Sequence, residues 1–259
     1  MSEVVGGNAP VPAGQEMGAF EKLVGVFLSP AKTFASVARK PGSDWLVPVA
    51  LLVVLVLVAS FTVNPKLDVD GAVQQTMKRI EQRQPLDDAK REQIEGAVRR
   101  QMGFMVSGPG RFLTPLVVLV PLFLVPLFYH GIAAAFGAST RYMTVVAGYA
   151  WVQMVQFVKG IIGIAVAAPR STIDFNEAQN LVRSNLGAFL DAESTSKPLL
   201  AVATSVDLFE IWGLVLGSIM LSRTTRLSKN TATVAVVSLW VVWVLCKVAG
   251  AALGAAFGG

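Results

Sequence analysis

Apolar positions come in five long runs separated by polar segments. The first run is Trp45 to Val63, 19 residues, or about 28 Å of helix at ~1.5 Å per residue, which matches a bilayer's hydrocarbon core. The others are Leu113 to Phe136, Met143 to Ala168, Leu199 to Leu221 and Ala232 to Phe257. Each predicts a membrane-spanning helix. The expected fold is all-α: a polytopic bundle of five transmembrane helices (45–257) with helical extramembrane loops.

Between these runs the pattern is amphipathic. Phe20, Leu23, Val24 and Phe27, then Phe34 and Val37 beyond Pro30, fall at helical spacing. They predict a pair of short cytoplasmic helices within 20–44, lying in the interface or packed beneath the bundle. Residues 1–19 are rich in Gly, Pro and small polar groups, and predict a disordered tail rather than a signal peptide. Val69 to Arg83 reads as a helix that Pro85 interrupts. A second starts at Asp87 or Asp88 and carries Ile94, Val98 and Met102 on one face. This insertion (64–112) predicts a helical hairpin or cap. The loop 169–198 holds another amphipathic run, Leu181, Leu186, Phe189 and Leu190, a lid over the outer mouth or a plain solvated connection.

Composition agrees with a membrane protein. The chain is 53% hydrophobic and 15% charged, against about 25% charged in soluble domains. The net charge of +5 comes from scattered bases without aromatic interleaving, which argues against nucleic-acid binding. A single cysteine, Cys246, and a single histidine, His130, give no disulfide, metal or hydrolase pattern. No cofactor, metal or catalytic residue is expected, and the chain reads as a non-enzyme. The short loop Ser222 to Thr231 carries Arg223, Arg226 and Lys229 and no acid, so it is expected to stay cytoplasmic. In a five-span chain the N-terminus then shares that side and the C-terminus lies outside. The first outer loop, with nine bases and seven acids, is long and nearly balanced, and weighs little in that rule.

Candidate chemistry lies inside the spans. Asp207 and Glu210 interrupt the fourth run, and an ionised group near the bilayer centre costs roughly 2.5–3.5 kcal/mol on insertion scales. At ~100° per residue, Gly148, Val152, Gln156, Lys159 and Gly163 share a face of span three. Trp240, Trp243, Lys247, Gly250, Gly254 and Gly258 share a face of span five. Asp207, Glu210, Gly213 and Gly217 fall on a broader face of span four. Glycine and charge coincide, so these faces predict the bundle interior. Lys159, Asp207 and Lys247 come to similar depth, which predicts a Lys159–Asp207 or Asp207–Lys247 ion pair with Glu210 and the amides Gln153 and Gln156 completing a cluster. The cluster reads as a register-fixing network, as a pathway for protons, ions or lipid headgroups, or as lysines snorkelling to the interface. Tyr129, His130 and Tyr149 form a secondary polar group, His130 as a satisfied interior side chain. Pro115, Pro121 and Pro126 in span two suit a kinked wall.

The segments GVFLSPAKTFASVARKPGSDWLVPV, TRYMTVVAGYAWVQMV and VDLFEIWGLVLGSIML, the last followed by a basic loop and ATVAVVSLWVVWVL, occur in an order that resembles the Yip family (Ypt-interacting protein domain), specifically its bacterial members. The resemblance covers roughly Phe20 to Ala252. It implies five helices, a cytoplasmic N-terminus and an outside C-terminus, and fits a bacterial inner membrane. The Rab-type GTPase partners of eukaryotic relatives are not implied, because the acidic Gly-Pro cytoplasmic motif is missing. Val152 and Gln153 stand where the family often has a proline. The function expected is membrane organisation or shaping, or scaffolding of partners, with lipids and either a second copy or another membrane protein as partners. The alternative is a transporter, ion pathway or lipid scramblase lined by the polar cluster.

Overall fold

The computed structural model describes residues 16–39, 42–82, 86–178, 180–191 and 194–257. Most of the tail expected over 1–19, together with Pro85 and Gly258, lies outside the described residues. The elements in chain order are α1 (Ala19–Leu28), α2 (Pro30–Arg39), α3 (Leu46–Thr62), α4 (Val69–Glu81), α5 (Asp88–Val106), α6 (Gly108–Ala135), α7 (Tyr142–Val152), α8 (Met154–Ala167), α9 (Phe175–Ala178), α10 (Lys197–Ser205), α11 (Leu208–Thr225) and α12 (Lys229–Phe257). The chain is all-α among the described residues, apart from two isolated backbone bridges.

Among the described residues, four helical segments are long and apolar enough to cross a membrane: Leu46–Lys66, Gly108–Ala135, Tyr142–Ala167 and Lys229–Gly254. The run expected as the fourth of five spans is not one helix. It breaks at Val206 and Asp207 into α10 and α11. Both pieces lie against α12, so together they flank its length. The third span carries a smaller irregularity at Gln153, between α7 and α8, where φ −66 and ψ −6 depart from helical values. No proline is needed for it.

The centre of the bundle is α7. Val145, Val146, Ala147, Ala150 and Trp151 are fully buried there, because α7 is packed by α2, α6 and α11. Close approach depends on small residues. A Cβ at Gly148 would lie 2.7 Å from Met220 Cγ, and one at Gly160 would lie 2.6 Å from Leu55 Cδ2. The α6–α7 connection turns on Gly137 at φ +78, where the left-handed backbone lets the last carbonyls of α6 accept from Gly137 and Ala138.

The N-terminal pair docks on this core. Phe34 and Val37 of α2 and Val26 of α1 are fully buried in the main cluster, while Phe20, Val24 and Leu28 form an exposed apolar stripe along the other side of α1. Lys22 Nζ lies 2.7 and 2.6 Å from the Asp44 carboxylate oxygens, and its side chain is almost wholly buried. This pair ties α1 to the turn before α3. Lys22→Met leaves Asp44 half-buried and uncompensated. It is expected to lower stability by about 2 kcal/mol, less than the roughly 3–5 kcal/mol of a fully buried pair, read as a lower melting midpoint in detergent.

On the opposite side, α4 and α5 form the expected hairpin. Asp68 caps α4 through Gly71 N and Asp87 caps α5 through Lys90 N. Arg99 pairs with Asp70, and Arg91 lies 3.1 Å from Glu81, across the hairpin. A parallel bridge from Leu67 to Ile173 joins the hairpin to the loop after α8. Lys66 Nζ donates to the carbonyls of Ala167 and Ala168 at the end of α8. The amphipathic run from Leu181 to Leu190 holds a short 3-10 turn, Leu186–Phe189, with Leu186 and Phe189 exposed, and α9 precedes it. Asn185 starts that turn by accepting from Ala188 N, which competes with helix continuation.

Candidate functional site

The break between α10 and α11 gathers polar side chains between two apolar helices. Asp207 has extended backbone (φ −122, ψ 141) and is the N-cap of α11. Its Oδ1 accepts from Phe209 N at 2.8 Å and Glu210 N at 3.3 Å. These are two of the donors that a helix start leaves unpaired. Its Oδ2 accepts from Lys159 Nζ at 3.0 Å and from the Ser184 hydroxyl. The carboxylate is 1% exposed, so its charge is answered wholly by protein.

The break is also held through the backbone. Asn185 and Asp207 form an antiparallel bridge, with Leu208 N donating to Ser184 O at 3.0 Å and Leu186 N to Val206 O at 3.1 Å. The loop after α8 therefore enters the bundle and supplies the hydrogen bonds that α10 and α11 give up where they part. Non-helical backbone at membrane depth requires such internal partners. Asn185 is buried and itself tied to Asn180 at 3.0 Å.

The sequence-selected polar residues arrange themselves around this point. Gln156 Nε2 donates to Glu210 Oε1 at 3.3 Å. Lys247 Nζ donates to Ser205 Oγ at 2.7 Å, not to Asp207, and the Ser205 hydroxyl in turn donates to Ala201 O. Glu210 is the common neighbour, with Lys159, Asp207 and Lys247 all acting on its charge. The Lys159 ammonium also lies 5.9 Å from the Phe209 ring centroid, within reach of a cation–π contact. Asp207 is buried, and Gln153, Gln156, Lys159, Glu210 and Lys247 are half-buried. Gln153 stands apart and shares a hydrogen bond with Tyr149, whose ring meets Tyr129 edge-on at 6.1 Å.

Two expectations need correction. The glycine face of the fifth span is not interior: Trp243 is 63% exposed, and a Cβ at Gly250 or Gly254 would meet nothing within 4 Å. On that face only Lys247 and its neighbours reach the bundle, because α12 leans on α10 and α11 by another stripe that includes Ala232, Ala235 and Val236. His130 was expected to be satisfied. Its Nδ1 is buried without a hydrogen-bond partner among the described residues, and its ring packs on Tyr142.

Ser184, Asn185 and Ser205 were not foreseen. The first two lie in a loop, and their partner Asp207 is more than twenty residues on, so no local periodicity marks them. The groups here can hold one another's charge and fix a helix break. Among the described residues no cluster of three or more His, Cys, Asp or Glu side chains suits a metal ion.

The model of one protein family, the Yip1 domain, matches residues 24–250 of the chain. Neither a curated protein nor a solved structure matches it.

Proposed function

The chain belongs to the Yip1 domain family, and from that premise we propose that this integral membrane protein is a non-enzymatic organiser or scaffold of the membrane whose interior charges act as a structural lock. The observation that carries the reading is the state of Asp207. Four donors occupy its two oxygens, leaving no free lone pair directed at a passing ion. Lys247 is likewise engaged by Ser205. Two grooves lie on the outer faces of α11–α12 and α3–α8, away from this cluster.

In this reading α10 and α11 act together as a fifth, broken crossing. The basic loop Ser222 to Thr231 sits on the cytoplasmic side, with the N-terminal helices beside it, and the hairpin α4–α5 lies outside. The membrane is a bacterial inner membrane. The exposed face of α12, with Trp243, Gly250 and Gly254, supports lateral contact with lipids and with a second copy or another membrane protein.

One observation favours a second reading, a transporter or scramblase. Among the described residues Glu210 makes a single side-chain hydrogen bond, beside a discontinuous helix, the kind of place where transporters bind ions. The two readings part in reconstituted liposomes. Under the first, purified protein gives no ion or lipid flux above protein-free liposomes, and Lys159→Ala and Asp207→Asn merely melt earlier. Flux that both substitutions abolish would replace the lock with a pathway.

A further inference from the structure

The face of α11 turned away from the charge cluster forms, with α12 and Ala31 of α2, an open groove of about 510 Å³. Ile211, Val215 and Ile219 follow one another along its α11 wall at steps of one turn, and Val237 and Thr233 stand on the α12 wall. From Ile211 to Arg223 the groove runs twelve residues, about 18 Å, a little over half of the ~30 Å hydrocarbon core. That is the depth of one leaflet. Its far end is apolar, and its end at the α11–α12 turn carries Arg223 and Lys229.

We propose that this groove binds one anionic phospholipid, with an acyl chain along α11 and the headgroup phosphate between Arg223 and Lys229. Both bases are exposed, and neither has an acidic partner among the described residues. The connecting segment from Ser222 to Thr231 contains no acid to supply one. Lys229 stands in the first turn of α12, where the helix dipole repels a cation and favours an anion. A phosphate there relieves two unpaired charges and that repulsion together. Paired basic residues between membrane helices at the interface are suited to acidic headgroups.

A second groove on the same molecule sharpens the assignment. Between α3 and α8 a hollow of about 270 Å³ is lined by apolar residues such as Leu55, Phe157 and Ile161, with no ionisable side chain. It fits acyl chains from any lipid. Of these two grooves it is the α11–α12 one that joins an acyl track to a cationic mouth, so it is the one that distinguishes headgroups. The inference needs the chain to be membrane-embedded. It stands whether the interior charges are a lock or a pathway.

Native mass spectrometry of the purified protein in detergent, titrated with phosphatidylglycerol and with phosphatidylcholine, tests it. The expected result is one retained phosphatidylglycerol, preferred about thirtyfold over phosphatidylcholine, the scale of two basic contacts near a membrane surface. Arg223→Gln/Lys229→Gln removes that preference, whereas Lys78→Gln in the outer hairpin keeps it. Val215→Trp, at a position already 53% exposed, fills the groove and weakens retention of both lipids while the protein stays monodisperse. Equal retention of the two lipids by the parent overturns the proposal, as does an unchanged preference in the double variant. Full competition by glycerol 3-phosphate also overturns it, by making the site one for free phosphate, and so does indifference to Val215→Trp, which reduces the preference to surface charge.

Discussion

Asp207→Ala is expected to lower the unfolding free energy by about 4 kcal/mol, within the roughly 3–5 kcal/mol lost when one partner of a buried ion pair is removed. Three losses add. Lys159 keeps its charge but loses the carboxylate it is hydrogen-bonded to, with Glu210 left as the neighbouring acid. The Ser184 hydroxyl loses its acceptor. The start of α11 loses its cap, an effect of about 1 kcal/mol on its own. Lys159 is 27% exposed, so it turns partly to the interface and the sum stays below the upper limit. Asp207→Asn separates these losses. Asparagine still caps a helix but answers no cation, so it should fall between parent and Asp207→Ala. Lys159→Met strands the carboxylate and should be nearly as damaging as Asp207→Ala. Combining it with Asp207→Asn removes both charges, and the pair should be less harmful than the sum of the singles by at least about 1 kcal/mol. Unfolding by denaturing detergent, followed by circular dichroism, measures all four. If Asp207→Ala stays within about 1 kcal/mol of the parent, the break is held by something other than Asp207.

That break was written in the sequence and hidden by its surroundings. Asp207-Leu-Phe-Glu210 has the Asp-x-x-Glu spacing of a helix start. Over the window needed to recognise a span, the apolar residues from Leu199 to Leu221 outweigh it, and the run reads as one helix. Hydropathy averages over twenty residues, whereas a cap is decided by one side chain and two amide hydrogens. The other spans carried no such internal signal and were legible from length alone. The start of α5 was legible for the opposite reason: Asp87 and Asp88 stand in polar sequence where nothing masks them. What supports the break came from afar. Ser184 and Asn185 reach Asp207 through the tertiary fold, and Lys22 finds Asp44 across 22 residues. The face of α12 failed differently. Periodicity identifies a stripe but not its neighbour, and in a bilayer lipid is as apolar as leucine. Gly250 and Gly254 therefore looked like packing residues while lying open.

The same distinction sets the second large effect. Gly148→Leu is expected to destabilise the protein by about 3 kcal/mol, at the upper end of the range for overpacking, while Gly250→Leu should change stability by less than about 0.5 kcal/mol. Around Gly148 a Cβ would stand 2.7 and 2.9 Å from Met220 Cγ and Sδ and 3.1 Å from Thr224 Cγ2. Met220 is unbranched and adaptable, so Gly148→Ala is accommodated by a rotamer change for about 1 kcal/mol. A leucine needs more room than one thioether can yield. Thr224 cannot give way, because its hydroxyl donates to Met220 O at 2.9 Å. The remaining response is to push α11 off α7, which opens the fully buried cluster around Trp151 and Leu221 and strains the contact between Asp207, at the start of α11, and Lys159 of α8. Met220→Ala in the Gly148→Leu background supplies the missing volume and should recover at least half of the loss. Melting midpoints of the four variants decide the matter. Equal midpoints for Gly148→Leu and Gly250→Leu would mean that α7 and α11 do not approach as closely as Gly148 requires.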